Sequence, residues 1–168
     1  MNVLKGGPET PGADAQPRLQ KRRVLAVASA GGHWVQLQRL QPALADHELV
    51  FVATNEGYKA EVPDHRFHVV TEASRSSKIG LVVLTLRMLG IMLRERPDIV
   101  ISTGAAPGYI ALRLGRMFGA RTVWIDSIAN VDEMSLAGKL VRPYADLWLT
   151  QWSHLASPDG PQFAGAVL

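Results

Sequence analysis

From Val24 onward the chain alternates short, nearly uninterrupted β-branched and apolar runs with longer segments of helical character. The runs are Val24 to Ala28, Leu49 to Thr54, Phe67 to Val70, Ile99 to Thr103, Thr122 to Ile125 and Leu147 to Thr150. A strand with one face in water alternates apolar and polar residues, whereas a strand covered by helices on both faces does not need to. Continuous runs separated by crossover-length segments therefore predict an α/β fold on a Rossmann-like, doubly wound parallel sheet. At 168 residues the expectation is one such domain over residues 22–168, without a second full Rossmann-type domain.

The intervening segments carry helix punctuation. Ser76 and Ser77 are expected to cap a helix that Pro97 stops, with Arg94 and Arg96 near its carbonyl end. Pro107 suits a first helical residue, and Gly119 suits the position after that helix. Asn130 with Glu133 three residues on reads as a capping box for a helix that Pro143 ends. Residues 1–21 are rich in glycine and proline and lead into a basic cluster of Arg18, Lys21, Arg22 and Arg23, which predicts a disordered leader. No apolar stretch precedes Arg23, so a secretory signal is not expected and a cytoplasmic location is.

Composition removes several chemistries. Without cysteine there is no disulfide scaffold, thiolate zinc site or cysteine nucleophile. The net charge of +3 is small and spread along the chain, and aromatic residues make up only 7%. That argues against a nucleic-acid partner and leaves water, anionic lipid or a phosphorylated ligand opposite the basic residues.

Ligands of open parallel sheets bind beyond the carboxyl ends of the strands, so the loops after each run are the segments that can carry chemistry. The first is Ser29-Ala30-Gly31-Gly32-His33, followed by a helix with Val35, Leu37, Leu40 and Leu44 as its expected apolar face. Gly31 and Gly32 permit close backbone approach, amides at a helix start favour an anion, and His33 at the mouth can take a proton from an attacking hydroxyl. The fourth run ends in Ser102-Thr103-Gly104-Ala105-Ala106-Pro107-Gly108. There Thr103, Gly104 and Gly108 form either a second phosphate cradle or an ordinary strand-to-helix turn. Asp126 follows the fifth run and is a second acid or base, an orienter of His33, or a polar strand-end residue. A dinucleotide enzyme would want an acidic residue about 20 positions after the glycines, where only Glu56 lies near. His47, His65, His68 and His154 show no ligand spacing, and no metal site is expected.

The segment from Ile79 to Arg96 is apolar nearly all round but shorter than the about 20 residues that cross a bilayer. It reads as a buried packing helix or as a membrane-surface helix. In the second case Ile79, Val83 and Leu86 would enter the acyl boundary, while Lys78, Arg87, Arg94 and Arg96 meet anionic headgroups.

Four stretches extend the picture: Ser29-Ala30-Gly31-Gly32-His33, Trp124-Ile125-Asp126-Ser127, Ser135-Leu136-Ala137-Gly138-Lys139-Leu140 and Gln151-Trp152-Ser153-His154-Leu155. Their order resembles the acceptor-binding subunits of split GT-B glycosyltransferases. These include the eukaryotic subunit that serves addition of the second N-acetylglucosamine to dolichol diphosphate, and bacterial PssD-type exopolysaccharide proteins. The family is similar to the N-terminal half of MurG-type enzymes, and the resemblance covers about residues 22–168. It implies a hexosyltransferase subunit, inactive alone, whose donor-binding GT-B half is a separate chain. The implied substrates are a UDP-sugar at the interface and a polyprenyl-diphosphate-linked saccharide, with no cofactor.

From their places at the strand ends His33 and Asp126 are the catalytic candidates, and by the resemblance Gly31, Gly32 and His33 are expected in the cleft facing the donor. Ser29, Gly31, Gly32, Thr103, Gly104 and Gly108 hold the acceptor or its phosphates, and Ile79, Val83, Leu86 and Arg87 touch the inner face of the plasma membrane. No transmembrane anchor precedes Arg23, unlike the eukaryotic pattern, so membrane contact is expected from the Ile79 helix, the Arg18 to Arg23 cluster or a partner. The tail Phe163 to Leu168 resembles the half-enzyme's final strand, which in the family helps join the halves. Two other readings stand beside this one: a non-catalytic scaffold that recruits a complete partner enzyme to membrane, and a free-standing nucleotide-binding enzyme.

Overall fold

The computed structural model describes residues 20–73 and 77–167; most of the expected leader, Ser76 and Leu168 lie outside them. The strands are β1 (Arg23–Val27), β2 (Glu48–Ala53), β3 (Arg66–Val69), β4 (Ile99–Ser102), β5 (Arg121–Ile125), β6 (Leu147–Thr150) and β7 (Gln162–Phe163). They form one sheet in the order β3-β2-β1-β4-β5-β6-β7 with every pairing parallel. The doubly wound, Rossmann-like architecture expected from the apolar runs is therefore present, and each run differs from its strand by no more than one residue at either end.

The helices are α1 (Gly32–Arg39), α2 (Gln41–Leu44), α3 (Lys78–Glu95), α4 (Ala105–Met117) and α5 (Leu136–Val141). Leu25 and Val27 of β1 pack on one face with Leu84, Met88 and Leu112 of α3 and α4. Val24, Ala26 and Ala28 pack on the other with Trp34 and Leu37 of α1. Residues 24–28 are fully buried, which is why this run lacks any polar alternation. Chain order reverses between β1 and β4, so the crevice above their carboxyl ends is the switch point of the sheet.

Several local expectations are corrected. Val35 is about half exposed, and α1 instead buries Trp34, Gln36 and Leu37. Pro107 is the third residue of α4, where a missing N–H leaves no intrahelical bond unmade. The capping box at Asn130 does not form, because Asn130 donates to Asp126 and Glu133 pairs with Lys139. The helix begins at Leu136 after Ser135, whose hydroxyl accepts from the Gly138 amide. The last strand covers only Gln162–Phe163; beyond it Gly165 takes a φ of 108° and the Val167 amide donates to Gln151 Oε1 rather than to the sheet.

The long apolar segment packs on the core along one side only. Ser77 caps α3 through the Gly80 amide at 3.0 Å, and Leu84, Met88, Ile91 and Met92 face the core. The opposite side leaves Ile79 79% and Leu86 62% exposed. Among the described residues no helix is long and apolar enough to cross a membrane.

Close packing of α4 on the sheet depends on two glycines. A Cβ on Gly108 would stand 1.9 Å from Ser102 Oγ, and one on Gly115 would stand 2.7 Å from Val100 Cγ2. Gly108→Ala is expected to lower stability by about 1–3 kcal/mol in urea denaturation, as overpacking of a rigid contact does. At Gly90 in α3, a Cβ would meet nothing within 4 Å. Gly90→Ala should therefore raise stability by about 0.5–1 kcal/mol through helix propensity alone.

Candidate functional site

The loops after β1 and β4 meet at the switch point and are tied to each other. Thr103 Oγ1 donates to the His33 carbonyl at 2.7 Å. Gly104, at φ 144°, lies so close to the imidazole that a Cβ there would come within 2.4 Å of His33 Cδ2 and 2.5 Å of Nε2. The other edge of the ring is held by Ser29, whose Oγ is 2.8 Å from His33 Nδ1. Gly31, at φ 73°, donates its amide to the Tyr58 hydroxyl, and Tyr58 stacks on Trp34 with ring centroids 4.7 Å apart. The Ala30 amide is taken by Thr54 Oγ1.

His33 and Gly32 line a cleft of about 530 Å³ that runs between α3, α4 and α5. Leu81, Ala106, Tyr109, Leu136 and Leu140 supply apolar wall, while Ser127, Asn130 and Ser135 supply polar groups. The starts of α1 and α4 both open toward it. Gly32, His33, Ala105 and Ala106 occupy the first helical positions, where amides have no partner within the helix and suit an anion. Ala105 holds a φ of 65°, a left-handed conformation that costs a non-glycine residue about 1–3 kcal/mol and is characteristic of functional loops. Burial lowers the His33 pKa below its ordinary 6.5, partly opposed by the negative charge of Asp126. His33 is thus neutral at pH 7 and able to accept a proton.

The sequence-predicted residues separate into three groups. Gly31, Gly32, His33, Ser29 and Gly104 come together at the crevice. Thr103 stands among them but spends its hydroxyl on the His33 backbone. Gly108 is buried against Ser102 and Trp124, away from the cleft wall, which gives it a packing role in place of the expected phosphate contact.

Asp126 is 1% exposed and accepts four hydrogen bonds. Trp124 Nε1 and Ser135 Oγ donate to Oδ1 at 3.1 and 2.6 Å, and Asn130 Nδ2 and the Ser135 amide donate to Oδ2 at 3.1 and 2.7 Å. Its carboxylate therefore shapes the loop from Ser127 to Ser135, and the hydrogen bond that orients His33 comes from Ser29 instead. Asp126 touches His33 through its field only.

A second buried network was not legible in sequence. Gln36 Oε1 accepts from the Ile128 amide at 3.1 Å and from Gln151 Nε2 at 2.6 Å, while Gln36 Nε2 donates to Ser127 Oγ. Gln151 Nε2 also donates to the Asp126 carbonyl. A glutamine between the buried Trp34 and Leu37 is the available signal: a polar side chain on a core-facing helix position requires partners.

Asp126→Ala strips four donors of their acceptor. It should cost about 3 kcal/mol or more in urea denaturation, with hydrogen exchange accelerated through Ser127 to Val141. Exchange left at wild-type rates in that segment would contradict the role given to this carboxylate.

Comparison with known proteins follows the same geometry. Residues 61–167 match the family described as "Oligosaccharide biosynthesis protein Alg14 like". The mouse "UDP-N-acetylglucosamine transferase subunit ALG14" is 25% identical, with 79% of this chain and 76% of that protein covered. Among solved structures, MurG of Acinetobacter baumannii superposes with a TM-score of 0.67 at 12% identity, over 83% of this chain and 44% of that one. The S. aureus MnaA structure with UDP gives 0.64 at 12% identity, over 87% and 45%. The chain thus spans less than half the length of those structures, and the likeness to them is one of fold. With the family match covering well over half of the chain, the protein belongs to the Alg14-like family of oligosaccharide biosynthesis proteins.

Proposed function

We propose that this chain is the acceptor-binding subunit of a split glycosyltransferase acting in polysaccharide or exopolysaccharide biosynthesis. With a separate donor-binding chain of the GT-B C-terminal type, it moves a sugar from a UDP-sugar to a saccharide on a polyprenyl diphosphate. The carrying observation is His33, neutral and wedged between Ser29 and Gly104 at the mouth of a cleft walled by apolar helix surface. The description of the mouse relative supports UDP-N-acetylglucosamine as donor and a heteromeric enzyme.

In this reading the acceptor hydroxyl gives its proton to His33 Nε2 while its oxygen bonds to the anomeric carbon of the donor sugar. The bond from that carbon to the diphosphate oxygen breaks, and UDP leaves with the electron pair. The negative charge of Asp126 favours the imidazolium that forms. Amides of Gly32, Ala105 and Ala106 face the acceptor's diphosphate. Ser29, Gly31 and Gly104 hold the loop geometry, and Thr103 fixes the His33 backbone.

The exposed side of α3 supports peripheral attachment to the cytoplasmic face of the membrane. Ile79, Val82, Val83 and Leu86 form an apolar stripe on the exposed side of α3, Arg87 flanks it, and Leu81 on the opposite side of the same helix reaches the cleft wall. That stripe alone would equally serve a non-catalytic scaffold recruiting a complete partner enzyme, so the two readings part at His33.

His33→Ala, co-expressed with the donor-binding partner, should lower transfer about 10²–10⁴-fold, the usual contribution of a general base. Transfer at the wild-type rate would leave only the scaffold. Because His33 titrates below its ordinary value, the acidic limb of kcat/KM should lie below pH 6.5, with activity rising as the pH increases through it, and should vanish in the variant. Replacement of Ile79 and Leu86 by Ser should reduce flotation with phospholipid vesicles without altering the thermal melt; unchanged flotation would remove α3 from the membrane contact.

A further inference from the structure

We infer that Ser29 is a positioning residue that sets the tautomer of His33, keeping the proton on Nδ1 and the lone pair on Nε2, where the cleft opens. The inference rests on the proposed role of His33 as a base and says how the fold makes it one. An imidazole fixed with its proton on Nε2 would present a donor to the cleft and be unable to take a proton there.

Three observations carry it. First, the ring cannot choose its orientation freely. Thr103 holds the His33 carbonyl, the Cδ2–Nε2 edge lies against Gly104, and Nδ1 is 2.8 Å from Ser29 Oγ. Turning the ring over would place Cδ2 against Ser29 and forfeit that bond. Second, Ser29 has a carbonyl to donate to, because its hydroxyl reaches the Ala30 oxygen at 3.4 Å. With its proton spent there, Ser29 Oγ offers a lone pair to Nδ1–H. In the opposite arrangement Ser29 would donate to Nδ1, and the lone pairs of this buried residue's hydroxyl would meet no protein donor among the described residues. Third, Nε2 lies beside Gly104, just before α4, and takes no protein hydrogen-bond partner among the described residues, so it is the ring nitrogen left for a group entering the cleft. An N–H at Nε2 would meet an entering hydroxyl as a donor, whereas a lone pair there meets it as an acceptor.

Free neutral histidine prefers the proton on Nε2, so the protein must supply the bias, and the partner of the other nitrogen is what supplies it. Asp126, the charged group felt at the ring, makes no hydrogen bond to either nitrogen because its oxygens are held by Trp124, Asn130 and Ser135. Tyr58 engages the Gly31 amide, not the ring. Ser29 is therefore the selecting group.

The direct test is ¹⁵N NMR of the full-length chain with labelled histidine at a pH where His33 is neutral, its signals assigned by their loss in His33→Gln. The expected wild-type pattern is a protonated Nδ1 and an unprotonated Nε2. Ser29→Ala should move the proton largely to Nε2, and Ser29→Thr, which keeps the hydroxyl, should retain the wild-type pattern. With the partner present, Ser29→Ala should lower kcat about tenfold or more while KM for the acceptor stays near wild type, the signature of an effect on the reacting state. A wild-type ring protonated on Nε2, or a tautomer unmoved by Ser29→Ala, overturns the inference; the wild-type spectrum decides even if that variant fails to fold. The reading beneath it is judged separately. If His33→Ala transfers sugar normally, the base assignment falls whatever the spectra show, and if His33→Ala is inactive while Ser29→Ala leaves the tautomer unchanged, only the role of Ser29 falls.

Discussion

The pairing of β1 between β2 and β4 is the constraint on which the rest of the molecule depends. Both faces of β1 are buried, one under α1 and one under α3 and α4, and the chain order reverses beside it. Where the connections from two neighbouring parallel strands run to opposite faces of the sheet, a crevice opens above their carboxyl ends, and here the loops after β1 and β4 border it. The hydrogen bond from Thr103 to the His33 carbonyl and the contact of Gly104 with the imidazole close that crevice into a single unit. The position of His33 is therefore a product of sheet topology, with local loop preference adding little.

Around this unit the polar groups form an ordered scaffold. Asp126 gathers donors from β5, from the loop after it and from the cap of α5, so one buried carboxylate sets where the cleft wall begins. Gln36 and Gln151 link α1 to the same loop and to the chain near Val167. Buried charge and amide groups are tolerated only when fully partnered, and here that requirement ties three separate loops to one geometry. At the sheet's β3 edge the buried Glu95 of α3 pairs with Arg66 and His68 of β3.

Much of the fold was legible because burial on both faces of a parallel sheet writes itself as continuous apolar runs, and these predicted six of the seven strands to within one residue, the short exposed β7 carrying no such run. Glycine and histidine at the carboxyl end of the first run pointed to the crevice for the same reason. Gly108 reads as a ligand contact in sequence because a glycine that admits a phosphate and one that admits a neighbouring strand look alike there; Ser102 and Trp124 decide for packing. Asn130 and Glu133 match a capping box, yet Asp126 and Lys139 claim their side chains and Ser135 provides the cap. Gln36 and Tyr58 carry no local pattern, since their partners lie far along the chain.

By itself the sequence determined the sheet, its parallel sense and the strand ends that carry the glycine-rich loops. These follow from hydrophobic periodicity and from backbone freedom at glycine, which are properties of neighbouring residues. Only the tertiary structure decided which side of α3 stays exposed, that Asp126 organises a loop, and that Ser29 and Gly104 hold the imidazole from two sides. Those outcomes depend on hydrogen bonds and contacts between residues brought together by the sheet, and such distances exist only once the chain has folded.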